Sequence, residues 1–179
     1  QRKERNRTDL PHGAIVGYTN AGKSSLLNGL TESSVLAEDK LFATLDTTTR
    51  KLDLDDGQTI LLTDTVGFVR RLPHGLVESF KATLEEAVLA DFLIHVIDGS
   101  SENVEEHYKT TLDVLKELGA DEKRIISAIN KTDLINADRL QELKNIFPEA
   151  VLISVQKRRG FEGLLDKINE MLLSLSLIH

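Results

Sequence analysis

Eight consecutive residues carry the most chemistry in this chain: Gly17-Tyr18-Thr19-Asn20-Ala21-Gly22-Lys23-Ser24, which fits the spacing G-x-x-x-x-G-K-[ST]. Two glycines let the backbone fold close around an anion, and the successive N–H groups of Asn20, Ala21, Gly22 and their neighbours then point inward at phosphate oxygens. Lys23 reaches the β- and γ-phosphates as a point charge, the Ser24 hydroxyl completes the coordination of a bridging Mg²⁺, and Ser25 can bond the α-phosphate. A Gly-containing turn between strand and helix can also be only a turn. Context favours phosphate: apolar Ala14-Ile15-Val16 precedes the motif, and helix-like Ser25-Leu26-Leu27-Asn28-Gly29-Leu30 follows it, adding the positive end of a helix dipole. The motif fixes a nucleotide phosphate and leaves the base open.

Three later stretches supply what the phosphate loop lacks. Gln58 to Thr63 reads as a strand ending on Asp64-Thr65-Val66-Gly67, which brings a carboxylate toward Mg²⁺ and the Gly67 N–H toward the γ-phosphate. Arg124 to Ile129 is a second strand, ending on Asn130-Lys131-Thr132-Asp133. The Asp133 carboxylate can accept from both N1–H and the 2-amino group of guanine, whereas adenine offers a bare N1 acceptor and no 2-amino group. The wrong base then leaves buried polar groups unpaired, the condition under which discrimination becomes large. Ahead of both, after the phosphate loop, lies Lys40 to Arg50, whose Thr47-Thr48-Thr49 offers hydroxyls to a switch loop closing on Mg²⁺ and γ-phosphate. Threonines also favour strands, so these can open the alternating stretch Lys51 to Asp55 as well, and both readings can hold at once. D-x-x-G or N-K-T-D alone would be weak; following a phosphate loop in order, they reinforce one another.

The elements needed to hold these groups are legible as alternation. Strand patterns at Ala14–Val16, Lys51–Asp55, Gln58–Thr63, Phe92–Ile97, Arg124–Ile129 and Val151–Val155 interleave with helical patterns through Leu76 to Val88, Glu102 to Leu118, Ala137 to Phe147 and Phe161 to Leu175. Asp56-Gly57 is a hairpin turn, Gly119 a helix stop, and Phe68 to Pro73 a second loop near the site. The expected fold is α/β, a P-loop NTPase with an open, mostly parallel six-stranded sheet, one antiparallel arm and helices on both faces. Its polar motifs fall just after strands, where such sheets bind ligands. Residues 11–179 read as a single domain behind a basic arm, residues 1–10, which either touches RNA phosphates or is a solvated linker.

Bulk composition removes other classes. A net charge of −7 argues against a protein that coats DNA, and zero cysteines exclude disulfides, a thiolate nucleophile and Cys-based metal sites. His12, His74, His95, His107 and His179 lack metal-ligand spacing and are expected on the surface or behind the site. No run of eighteen or more apolar residues and no secretory leader are visible, which fits a cytoplasmic protein.

The wording of these motifs resembles the HflX family of translation-factor-related GTPases. The similarity rests on Val16-Gly17-Tyr18-Thr19-Asn20-Ala21-Gly22-Lys23-Ser24, on Leu41-Phe42-Ala43-Thr44-Leu45-Asp46, and on Asp64-Thr65-Val66-Gly67-Phe68-Val69-Arg70 with Leu72-Pro73-His74. It runs along almost the whole chain. It implies GTP hydrolysis to GDP and phosphate, coupled to binding of the ribosome, usually its large subunit, and to ribosome splitting or rescue under stress. Family members carry a large glycine-rich domain ahead of the GTPase domain, so this chain is expected to be an excised GTPase domain, and a monomer. The resemblance makes Thr48 the switch threonine on Mg²⁺, although Thr47 stands where the family commonly has Pro. It also implies a guanine-side loop at Ser154-Val155-Gln156, giving a backbone N–H to the guanine O6; the family wording Ser-Ala-Lys or Ser-Ala-Gln followed by Thr-Gly is altered here to Ser154-Val155-Gln156-Lys157-Arg158-Arg159-Gly160.

Hydrolysis asks the protein to place a water in line and to stabilise charge on the γ-phosphate. Many small GTPases use a Gln just after D-x-x-G; here the position is Phe68, so intrinsic turnover is expected to be slow, on the order of 10⁻⁴ to 10⁻² s⁻¹ by analogy with unassisted GTPases. Help comes either from the ribosome or from a cation. Asn20 resembles the Asn of potassium-activated GTPases, whose side-chain oxygen ligates K⁺; it can equally hydrogen-bond the switch loop. Arg50, Arg70 and Arg71 are either fingers in cis or ordinary solvated arginines. A module that holds GTP or GDP with incidental hydrolysis is a second reading, and a small-molecule P-loop kinase is disfavoured by Asn130 and Asp133.

Overall fold

The computed structural model describes residues 10–18, 21–31, 48–54, 57–64, 89–120 and 122–178. The basic arm to residue 9, the helical pattern through Leu76 to Val88, and Asn20, Thr47, Gly67, Phe68, Arg70, Arg71, His74 and His179 lie outside them.

In chain order the elements are β1 (His12–Gly17), α1 (Lys23–Thr31), β2 (Thr48–Asp53), β3 (Thr59–Asp64), β4 (Phe92–Asp98), α2 (Val104–Glu117), β5 (Arg124–Asn130), a 3₁₀ turn (Thr132–Leu134), α3 (Ala137–Ile146), β6 (Val151–Leu152) and α4 (Phe161–Ile178). The strands form one six-stranded sheet in the order β2-β3-β1-β4-β5-β6. Every pairing is parallel except the β2–β3 hairpin at the edge. The expected architecture is therefore the observed one.

Side chains alternate across the sheet as the pleat requires. Ile15, Ile94, Val96 and Ile126 point to one face, under Leu26 and Leu30 of α1 and Leu164 and Ile168 of α4. Ala14, Val16 and Leu93 point to the other, under Leu115 of α2, and Ile97 and Ile129 meet Leu143 of α3 there. Covering both faces explains why the central strands read as unbroken apolar runs.

Two strands depart from expectation by three residues at one end, the others by less. β2 starts at Thr48, opposite Asp64, so the threonines do enter the sheet, as β-branched residues favour. The Thr49 hydroxyl lies 2.8 Å from that of Thr63, which in turn lies 2.5 Å from His12 Nε2, a polar chain across three strands. β6 is cut to Val151–Leu152. The Ile153 N–H still donates to the Ile129 carbonyl at 2.8 Å, but Ser154 then leaves the sheet by exchanging backbone bonds with Arg159.

His95 corrects the placement of the histidines at the surface or behind the site. It is 2 % exposed in the middle of β4, stacked on Tyr108 of α2 with ring centroids 5.3 Å apart. Burial holds its imidazole down at about 3, far below the ordinary 6.5, so it is neutral in the fold.

Candidate functional site

β1 delivers the chain into the phosphate loop at Gly17, whose φ is +152°; a Cβ there would sit 2.5 Å from the Val96 carbonyl oxygen. The turn is closed by the Ala21 N–H donating to the Tyr18 carbonyl at 3.1 Å. Gly22 has φ +101°, and a Cβ on it would lie 2.5 Å from Asn130 Nδ2, so only glycine fits. Helix α1 then begins at Lys23, with Ser24 and Ser25 exposed in its first turn.

Lys23 is 6 % exposed, and its Nζ lies 3.8 Å from Asp64 Oδ1 at the end of β3. Burial lowers the Lys23 ammonium below its ordinary value, with the Asp64 charge offsetting part of the shift. Burial likewise raises the Asp64 carboxyl, opposed first by Lys23 and then by the Ser24 hydroxyl. That hydroxyl donates to Asp64 Oδ2 at 2.5 Å. Asp64 Oδ1 is buried and finds no hydrogen-bond partner among the described residues. Hard oxygens from Ser24 and Asp64, one of them with an unmet lone pair, suit Mg²⁺, which takes few protein ligands and completes its shell with phosphate and water. Among the described residues no cluster of three or more His, Asp or Glu could hold a metal by itself.

The second half of the site is the turn after β5. Asn130, 3 % exposed, donates from Nδ2 to the Ala21 carbonyl at 2.9 Å and accepts at Oδ1 from the Val155 N–H at 3.0 Å. It ties the phosphate loop to the β6–α4 loop through both ends of one amide. Lys131 adopts φ +67°, and its Nζ donates to Asp98 Oδ2 at 3.2 Å at the end of β4. Asp133 Oδ1 accepts from the buried Ser154 hydroxyl at 2.7 Å. That bond, helped by the nearby charges of Lys157 and Arg159, holds the half-buried Asp133 carboxyl below its ordinary value, so it is ionised. Ser154 Oγ also accepts from the Lys157 N–H at 3.1 Å. Across residues 154–159 the amides of Ser154, Val155, Lys157, Arg158 and Arg159 are all engaged; that of Gln156 makes no bond among the described residues.

The structure thus gathers Ala21, Gly22, Lys23, Ser24, Asp64, Asn130, Lys131, Asp133, Ser154, Val155 and Gln156 at the carboxyl end of the sheet, with the Thr48 backbone opposite Asp64. Asn20, Gly67 and the Thr48 side chain lie outside the described residues. Sequence reasoning missed Asp98, which anchors Lys131; an Asp closing an apolar strand one position before Gly99 was its available signal.

Residues 12–131 match the profile of a family described as 50S ribosome-binding GTPase. The chain is 55% identical over 177 residues to the GTPase HflX of Akkermansia muciniphila, covering 96% of this chain and 40% of that protein. It is 43% identical over 176 residues to the GTPase HflX of Escherichia coli strain K12, covering 96% and 41%. The chain therefore spans about 40% of the length of the curated relatives it matches. A GTP-binding protein from Sulfolobus solfataricus, crystallised in complex with GDP, superposes with a TM-score of 0.72 at 31% identity, over 97% of this chain and 56% of that one.

Proposed function

The chain belongs to the 50S ribosome-binding GTPase family, and from that premise we propose that it binds guanine nucleotide at the carboxyl end of its sheet, hydrolyses GTP to GDP and phosphate, and acts in the cytoplasm on the large ribosomal subunit, as a monomer, in ribosome splitting or rescue. The observation that carries this reading is the Asn130 brace, which joins the phosphate loop to the turn bearing an ionised Asp133. Residues 11–179 are taken as the GTPase domain, with residues 1–10 as its arm.

In this reading the N–H groups from Asn20 to Ser25 surround the phosphates and Lys23 meets the β- and γ-oxygens, which gives its desolvated ammonium a better partner than Asp64 at 3.8 Å. Ser24, Asp64 and Thr48 would hold Mg²⁺, which would supply charge neutralisation to the phosphates when bound. The Gly67 N–H steadies the γ-phosphate, and Asn20 either ligates K⁺ or braces the switch. Asp133 accepts from guanine N1–H and the 2-amino group, with Ser154 fixing its angle and Asn130 and Lys131 holding the turn. Because the Val155 amide is engaged by Asn130, the Gln156 N–H is the one left to meet the guanine O6.

Titration calorimetry with GDP, ADP and a non-hydrolysable GTP analogue, followed by 50S-subunit binding in each state, tests the reading. Tight GDP binding, negligible ADP binding and a 50S affinity that depends on the nucleotide are expected. Equal affinity for ADP would overturn the base assignment, and 50S binding indifferent to nucleotide would remove the switch.

A further inference from the structure

The segment from Asp98 to His107 touches both halves of the site. At its start Asp98 Oδ2 accepts from Lys131, while Oδ1 accepts from the Ser100 N–H at 2.9 Å and the Ser100 hydroxyl at 2.6 Å. At its end the His107 ring stacks on Tyr18, with centroids 4.1 Å apart and planes 20° from parallel. Tyr18 is 8 % exposed and stands inside the phosphate loop, and its carbonyl closes that loop by accepting from Ala21. His107 sits in the first turn of α2, where its N–H donates to the Asn103 carbonyl at 2.9 Å. One end of the stack is therefore a rigid helix, and the other is the backbone that surrounds the phosphates.

We propose that His107 is a positioning residue for the phosphate loop: by stacking on Tyr18 it holds the loop in its binding geometry and slows nucleotide release. The inference rests on the nucleotide reading above. His107 touches no phosphate; it acts through Tyr18. A loop whose N–H groups already converge avoids an ordering cost at each binding event, so a contact that fixes it appears mainly in the lifetime of the complex. The Asp98–Lys131 pair gives the same segment a hold on the base-side turn, so α2 is coupled to both ends of the nucleotide.

Release of fluorescently labelled GDP, chased with unlabelled GDP, tests this on the whole chain with His107→Ala, His107→Gln and His107→Phe, alongside melting temperatures with and without GDP. An aromatic stack predicts that His107→Ala and His107→Gln speed release by roughly twofold to tenfold and shrink the GDP-induced rise in melting temperature, while His107→Phe, which keeps a flat ring, stays within about twofold of the parent. Unchanged release in both ring-less variants would overturn the proposal. So would a melting temperature lowered equally with and without GDP at unchanged release, since that marks packing alone. A parent protein that fails to retain GDP would instead bring down the nucleotide reading, before any variant is compared.

Discussion

The two ends of the site are built on opposite electrostatic plans. At the base end Asn130 has both amide atoms engaged, Ser154 both donates and accepts, and Asp133 is ionised by bonds already in place. At the phosphate end Lys23 and Asp64 are desolvated at 3.8 Å, each shifted by burial toward its neutral form, and Asp64 Oδ1 has no hydrogen bond among the described residues. The proposed base reader is complete among the described residues. The phosphate end holds two charges whose best partners, an anion for the ammonium and a cation for the carboxylate, arrive with the ligand. Selectivity for the base should therefore be a property of the resting fold, and chemistry a property of the loaded site.

The largest effect that separates the ends is chelation. Removing Mg²⁺ with EDTA should depress GTP hydrolysis by on the order of 10²-fold or more while GDP stays bound, because metal contributes several kcal/mol to charge stabilisation and nothing to base recognition. Phosphate-release and filter-binding assays on one sample check this; equal loss of both would break the division. Ser154→Ala should act in the other direction, weakening GDP binding about tenfold with little change in turnover at saturation, the lower end of the scale of one hydrogen bond to a charged group. It should also move the acid limb of GDP binding upward. Asp133 is held below its ordinary 3.8, so what it contributes is present above that value and lost as pH falls through the lowered one. Without the Ser154 bond that loss begins at higher pH, which binding measured across the acid range would show.

An effect that bears on neither end lies outside the site and calibrates the rest. His95 is neutral in the fold down to about 3 and near 6.5 when unfolded. Its contribution is intact above 6.5 and lost as pH falls toward 3, by about 1.4 kcal/mol per pH unit, because the unfolded chain takes up the extra proton. Denaturant midpoints of His95→Phe should flatten over that window, leaving guanine selectivity untouched.

How much of this was legible varies with the range of the interaction. The run Phe92-Leu93-Ile94-His95-Val96-Ile97 announces a buried strand by composition, and the same logic, applied to its own fourth residue, would have buried His95 too. Gly17 and Gly22 were readable because loop geometry is local. The brace of Asn130 was not, since its partners lie 109 and 25 residues away and depend on how β1, β5 and β6 align. The shortening of β6 was hidden for a similar reason: Val151 to Val155 is strand-like throughout, and only the Ser154 bonds to Arg159 and Asp133 show where it turns away. Likewise Tyr18 and His107 gave no sign in the sequence of facing one another.

Steady-state phosphate release from GTP and from ATP, by the parent chain and by Asp133→Ala, tests the preformed base reader most directly. Release selective for GTP in the parent, with the substitution costing GTP on the order of 10²- to 10⁴-fold in kcat/KM, is the predicted result for a carboxylate that makes two charged hydrogen bonds to the base. Equal use of GTP and ATP by the parent, unchanged by Asp133→Ala, would contradict it.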